Sequence, residues 1–239
     1  MTAVPILPSL RGEADDGWDA RLPIKGVPNY YQFKLSDYLV RSNAKYFKEH
    51  PFYTSPYYRI ALHRRDNNRQ HQRLRELSRK APETYYVAPE TSDVAKFNDF
   101  FLNSSVIDVS RMIPVRDCED ISDDRQHFIT YQKGRTRWHE HSEPVRHEWS
   151  ILGSEHESFL DSQRDSAKRL DLDFARKLWE TNSKLAGQVL TMESPRRQDE
   201  EQTLIPETEH TRKGFLKAAA DIAMTYFGAT LVIIGEVGQ

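Results

Sequence analysis

The last thirty residues hold the pattern that most restricts the fold. From Arg212 to Phe227, residues Phe215, Ala218, Ala219, Ile222 and Tyr226 recur on one side of a 3.6-residue period, which predicts an amphipathic helix. Gly228 follows where a helix end favours left-handed backbone. Ala229 to Ile234 is then apolar without alternation, the pattern of a strand covered on both faces. Such a strand needs a sheet with other layers around it, so the chain is expected to be mixed α/β.

The rest of the chain supplies those layers. Residues 1–12, with Pro5, Pro8 and Gly12, read as an entering loop, and Glu13 to Asp16 as one helical turn. Trp18 to Ile24 and Asn29 to Leu35 read as two strands, with Lys25-Gly26-Val27-Pro28 as the turn of a hairpin between them. Pro23 and Pro28 would then stand at strand ends. Residues 36–48 fit a helix capped by Ser36. Tyr57 to Leu62 is strand-like. Asn67 to Lys80 is helical, with Gln70, Leu74, Leu77 and Ala81 on one stripe and Pro82 to stop it. Thr84 to Ala88 is a short strand, Ser92 to Leu102 a helix capped by Ser92, and Gln126 to Gln132 a strand.

After Trp149 the texture turns helical. Glu155 to about Leu190 reads as two helices broken near Leu170 to Asp173, and residues 192–207 as a linker. The division expected is 1–150 as an α/β domain and 151–239 as a mainly helical C-terminal region, packed on the same core or beside it. Phe174, Leu178 and Trp179 share a stripe that could face a partner protein or a second copy, or equally cover the sheet.

Composition excludes several functions. In 239 residues the net charge is −2 with 29% charged side chains, so nucleic acid could be held only by a local patch. Cys118 is the single cysteine, which rules out an intramolecular disulfide and a cysteine zinc cluster and suggests a reducing, cytoplasmic compartment. Its neighbours Asp117 and Glu119 disfavour a thiolate. No leader and no membrane span is expected. Glycine is scarce at ten residues, and neither a P-loop nor a dinucleotide turn occurs.

The residues that point to chemistry lie early. Asp19 follows Gly17-Trp18, and Gln32-Phe33-Lys34 comes thirteen residues later. On a strand, Gln32 and Lys34 face one side and Phe33 turns the other way, into packing. Phosphodiester hydrolysis needs an activated water and shielding of phosphate charge, which one or two Mg²⁺ ions supply. Mg²⁺ prefers oxygen ligands and needs few from the protein. Asp19 offers a carboxylate, Gln32 an amide oxygen, Glu13 a second carboxylate, and Lys34 an ammonium for the water or the transition state.

This pattern resembles the PD-(D/E)xK nuclease superfamily, in particular its Mrr-like restriction endonuclease branch, in which Gln-x-Lys replaces Glu-x-Lys. The resemblance covers roughly residues 10–90. It implies a restriction-endonuclease-like mixed sheet flanked by helices. It makes Asp19 the metal-binding aspartate, Gln32 its companion ligand, Lys34 the catalytic lysine and Glu13 the auxiliary acid, with Mg²⁺, or Mn²⁺, as cofactor. The helix with Gln70 and His71 resembles the one that backs the family's sheet. DNA is the implied substrate, with RNA left open. A bacterial defence setting is implied too, as a dimer or beside an ATPase. The other reading is a catalytically silent subunit that keeps the fold and binds nucleic acid or scaffolds a partner.

Other constellations weigh less. Arg59 to Lys80 carries seven Arg and one Lys against Asp66 and Glu76, and Arg65, Arg69 and Arg73 recur every four residues as a stripe for phosphates. Tyr30, Tyr31, Tyr53, Tyr57, Tyr58, Tyr85 and Tyr86 could stack on bases, but strand tyrosines more often pack a sheet. His139-Glu140-His141 with His147 resembles a zinc set without a third ligand at a firm spacing, His147 being read as a loop residue, so a polar strand end is expected there.

Overall fold

The computed structural model describes residues 2–6, 25–40, 56–62, 69–91, 93–103, 106–121, 123, 125–141, 145–193 and 211–236. The chain is mixed α/β. It divides into two compact units, one of residues 1–31, 76–84 and 157–239, the other of residues 32–75 and 85–156. The N-terminal strand and the C-terminal helices thus share a unit, a grouping that chain order does not suggest.

In the first unit β12 (Thr230–Glu236) is the central strand. It pairs antiparallel with β1 (Thr2–Ile6) on one side and β2 (Lys25–Phe33) on the other. Leu231 and Ile233 are fully buried, as the unbroken apolar run required. Helix α4 (Leu172–Glu193) packs on α5 (Arg212–Ile222). Asp171 caps α4 by accepting the Phe174 N–H at 2.9 Å, and Thr211 caps α5 by accepting from Gly214 at 3.1 Å. A π-turn at Ala223–Phe227 ends α5, and Gly228 takes the left-handed conformation at φ 63°. Asn182, inside α4, locks helices to sheet: Tyr30 donates to its Oδ1 at 2.8 Å, and its Nδ2 donates to the Ala219 carbonyl at 3.0 Å. The Trp179 and Phe215 rings lie 5.4 Å apart, tilted at 44°, while Phe174 and Leu178 line a cleft of about 750 Å³ with Val27 and Tyr30.

Three readings of the N-terminal part are corrected. Residues 2–6 are a strand, not an entering loop, with Pro5 tolerated because β1 is an edge. Lys25 to Pro28 are not a turn but the first half of β2, so they cannot close a hairpin. Pro28 sits inside that strand. Tyr30 sends its N–H away from β12 to Glu83 at 2.8 Å, and alternation puts the missing N–H of Pro28 on that same side. There β11 (Lys168–Arg169) pairs only as far as Gly26. The helix expected at 36–48 begins instead with β3 (Asp37–Leu39). The strand Trp18 to Ile24, most of that helix and most of the 192–207 linker lie outside the described residues, whereas Met192 and Glu193 are still in α4.

The second unit holds two antiparallel strand sets. One runs β3, β4 (Tyr57–Leu62), β7 (His127–Tyr131), β8 (Trp138–His141), β9 (Val145–His147). The other runs β5 (Thr84–Pro89), β6 (Ser110–Pro114), β10 (Ile151–Leu152). Tyr58, Ile60 and Leu62 alternate inward on β4, opposite Tyr131, Ile129 and His127. Helix α1 (Arg69–Lys80) buries Leu74 and Leu77 as its stripe predicts. Helix α2 (Val94–Leu102) is capped by Asp93, whose Oδ1 accepts from Ala95 at 2.9 Å, while Ser92 lies outside the described residues. Short α3 (His156–Ser162) opens the helical region.

Arg111 on β6 ties the two sets together. Its side chain is wholly buried and all five N–H groups have acceptors. Glu90 Oε1 takes Nε at 3.1 Å and Nη2 at 2.6 Å. The Gln132 carbonyl takes Nη2 at 2.8 Å, Ser150 Oγ takes Nη1 at 3.0 Å, and the Arg135 carbonyl also takes Nη1. The guanidinium lies 4.7 Å from the centre of the Tyr131 ring. Lysine keeps the charge but has three donors and no planar fork. Arg111→Lys is therefore expected to cost about 3 kcal/mol, read as a lower urea midpoint with an unchanged slope.

Candidate functional site

Strand β2 ends at Phe33, and Lys34 continues its line by donating its backbone N–H to Val87 at 2.9 Å. Gln32 is buried, at 3% exposure, and Lys34 half-buried. Phe33, expected in packing, is instead 55% exposed, which corrects that reading. The Lys34 ammonium donates to Gln70 Oε1 at 3.3 Å and lies 5.7 Å from the Tyr86 ring centre. Burial lowers its pKa to about 8. A buried amine with an uncharged hydrogen-bond partner gives up its proton readily, which suits a group that orients or activates a water.

Behind Tyr86 a chain of hydrogen bonds runs through the second unit. His71 Nε2 lies 2.8 Å from the Glu119 carbonyl, which can only accept. That nitrogen therefore carries the proton, and Nδ1 accepts from the Tyr86 hydroxyl at 2.8 Å. Burial lowers the His71 pKa, in keeping with a neutral ring. The Glu119 N–H donates to Glu140 Oε2 at 2.9 Å, and His147 Nε2 reaches the same oxygen at 3.1 Å. His147 belongs to β9 rather than a loop and stacks on buried Trp138 at 3.8 Å. Sequence reasoning saw His139-Glu140-His141 only as a polar strand end. The structure buries all three on β8, a central strand of its set, and buried acids and imidazoles must be bonded. No local signal in the sequence gives this: only the register of the sheet sets His141 and Glu140 opposite the apolar Phe128 and Ile129.

The other sequence candidates are placed as follows. Arg69 is exposed and Arg73 half-buried on α1. Asp19, Glu13 and Arg65 lie outside the described residues. Cys118 is buried, and its thiol is pushed well up, first by burial and then by Glu140, so it is no thiolate. Among the described residues no three His, Cys, Asp or Glu side chains are grouped to hold a metal ion. Gln32 and Lys34 alone, a neutral oxygen and a cation, do not fit Mg²⁺. A magnesium set here would require Asp19 and Glu13. Among the described residues no helix is long and apolar enough to cross a membrane.

Comparison with protein-family models, with curated proteins and with solved structures gives no match.

Two measurements follow. In competitive acylation at pH 8, read by peptide mass spectrometry, Lys34 should label faster per exposed area than Lys80 or Lys177, and Gln70→Ala should change its rate. The second concerns acid. His139 has its pKa lowered to about 4, first by burial and then by Arg146 and Arg137, and that of His71 is lowered too. As pH falls from 6.5 the unfolded chain takes up protons that the folded chain refuses, so stability present above 6.5 is lost toward pH 4. The urea midpoint should drop across that window, and His139→Phe should flatten the drop.

Proposed function

We propose that the chain is a metal-dependent nuclease of PD-(D/E)xK type, with Lys34 at its centre. The observation that carries this reading is the Lys34 amine, lowered to about 8 on the line of β2, two residues after Gln32 and held by Gln70 of α1. A lysine two residues after Gln32 on the line of a strand is what the sequence resemblance asks for; its hydrogen bond to Gln70 is an addition of the structure. In this reading Lys34 positions the attacking water and neutralises charge on the phosphate, and Gln70 fixes its amine. Asp19, Gln32 and Glu13 would hold Mg²⁺ or Mn²⁺, and Arg65, Arg69 and Arg73 would contact the DNA or RNA backbone. A restriction-endonuclease-like arrangement of the sheet, a bacterial defence role, a cytoplasmic location and a partner or second copy on the C-terminal helices belong to the same proposal.

A second reading has an observation of its own. The ammonium is already engaged by Gln70 and faces the Tyr86 ring, a satisfied structural position for a silent subunit that binds nucleic acid.

The test is incubation of the full chain with supercoiled plasmid and single-stranded DNA in Mg²⁺ and in Mn²⁺. The nuclease reading expects metal-dependent cutting that falls at least about 100-fold in both Lys34→Ala and Asp19→Ala. Cutting that survives both substitutions overturns it. No cutting, with DNA retained in a salt-sensitive manner, supports the silent subunit.

A further inference from the structure

The cleft of about 750 Å³ in the first unit is bounded by the first half of β2, the C-terminal end of α1 with the turn after it, β11 and the N-terminal half of α4. Every residue that lines it belongs to this unit. Its size is that of a small-molecule pocket, about 300–1,000 Å³. The interior is apolar: Val27, Tyr30 and Leu77 are buried there, and Phe174 and Leu178 half-buried. The two buried polar groups on its wall are bonded to the protein itself, the Tyr30 hydroxyl to Asn182 and the Asn182 amide to the Ala219 carbonyl. The body of a guest is therefore met by hydrocarbon and ring, and its polar part has to be met at the rim.

The rim is cationic. Lys80 ends α1, Lys168 and Arg169 form β11, and Lys177 stands on α4, all four of them exposed. Among the described residues none of these four side chains makes a hydrogen bond or an ion pair. Three acids also line the cleft, Glu83, Asp171 and Asp173, and none is paired with these cations; Asp171 is turned to its own helix as the cap of α4. The cations thus come from three elements around one apolar hollow, with their charge unmet by contact. Lysine stems suit such a place, since they lie along apolar surface and carry the ammonium to the edge.

A peptide that adds a strand to β2 is poorly served here. Gly26 already pairs with Lys168, Tyr30 gives its N–H to Glu83, and Pro28 between them has none to give. A compact apolar body with an anionic head meets both the hollow and the rim, because several oxygens on one head can share ammonium and guanidinium donors. We propose that this cleft binds a soluble amphipathic anion of the alkyl phosphate class, its chain over Tyr30, Leu77 and Leu178 and its phosphate among the rim cations. The site shares no residue with Gln32, Lys34 or Gln70, and it stands whether or not the chain cuts DNA.

The probe is octyl phosphate, titrated into the full-length chain by calorimetry beside 1-octanol and inorganic phosphate. One molecule per chain is expected to bind saturably. Octanol, which lacks the charge, should bind at least about tenfold more weakly, and inorganic phosphate, which lacks the chain, at least about 100-fold more weakly. Lys168→Glu combined with Lys177→Glu should weaken octyl phosphate at least about tenfold. Both side chains are exposed and unbonded, and circular dichroism checks that the variant folds. Should it unfold, Lys80→Glu at the exposed end of α1 should weaken binding in the same direction. No saturable binding, equal binding of octanol or of inorganic phosphate, or undiminished binding by a folded variant overturns the proposal. Lys34→Ala should bind octyl phosphate as the unaltered chain does, so that failure of the nuclease reading leaves this result standing.

Discussion

The second unit depends on one buried guanidinium. Burying a charge is unfavourable unless it is paired and every donor is used. Arg111 meets both conditions by drawing acceptors from four residues in three places: Glu90 after β5, the Gln132 and Arg135 carbonyls in the β7–β8 turn, and Ser150 before β10. Those acceptors must stand where the five donors point, so the side chain sets the spacing of the two strand sets. Its partners are held in turn. The Tyr58 hydroxyl donates to the Glu90 carbonyl, Gly134 donates to Glu90 Oε2 from left-handed backbone at φ 67°, and the Ser150 hydroxyl donates to the Thr136 carbonyl. A positive φ at the turn is a glycine position, and here it turns the backbone N–H onto the carboxylate.

Apolar periodicity made much of this fold legible. Helix α1, helix α5 with its glycine cap, β4, β5, β7 and β12 all show a single period over their whole length, and one pattern then fits. What failed were segments whose local chemistry gives way to the sheet. Lys25-Gly26-Val27-Pro28 has the residues of a turn, yet β12 pairs with every one of them. Ser110 to Pro114 and Trp138 to His141 carry Arg, Pro, His and Glu in place of an apolar alternation, and their burial is made tolerable by hydrogen bonds from distant residues that a local reading cannot see. Glu140 and Arg111 could have been suspected only by pairing them with groups far along the chain.

The candidate site was legible by halves. Gln32 and Lys34 were picked by spacing, and they do share the line of β2 and its continuation. The partner of Lys34 was not foreseen as such. Gln70 stood out as part of a helix stripe, and its amide is what holds the amine. The exposed Phe33 shows the limit of alternation: it gives the side of the strand a residue faces and not what covers that side.

The hydrogen bonds behind Lys34 give this region a physical continuity that neither functional reading supplies alone. Lys34 faces Tyr86, Tyr86 donates to His71, and His71 donates to the Glu119 carbonyl. The N–H of the same residue donates to Glu140. Each donor has one acceptor and the His71 tautomer is fixed by a carbonyl, so the direction of every bond from Tyr86 to the Glu119 carbonyl is determined. The two peptide groups that flank Glu119 are thus held, one through its N–H and the other through its carbonyl. They set the Glu140 carboxylate and the tyrosine beneath the lysine in one frame, so a change at Glu140 reaches Tyr86 through bonds rather than through loose packing.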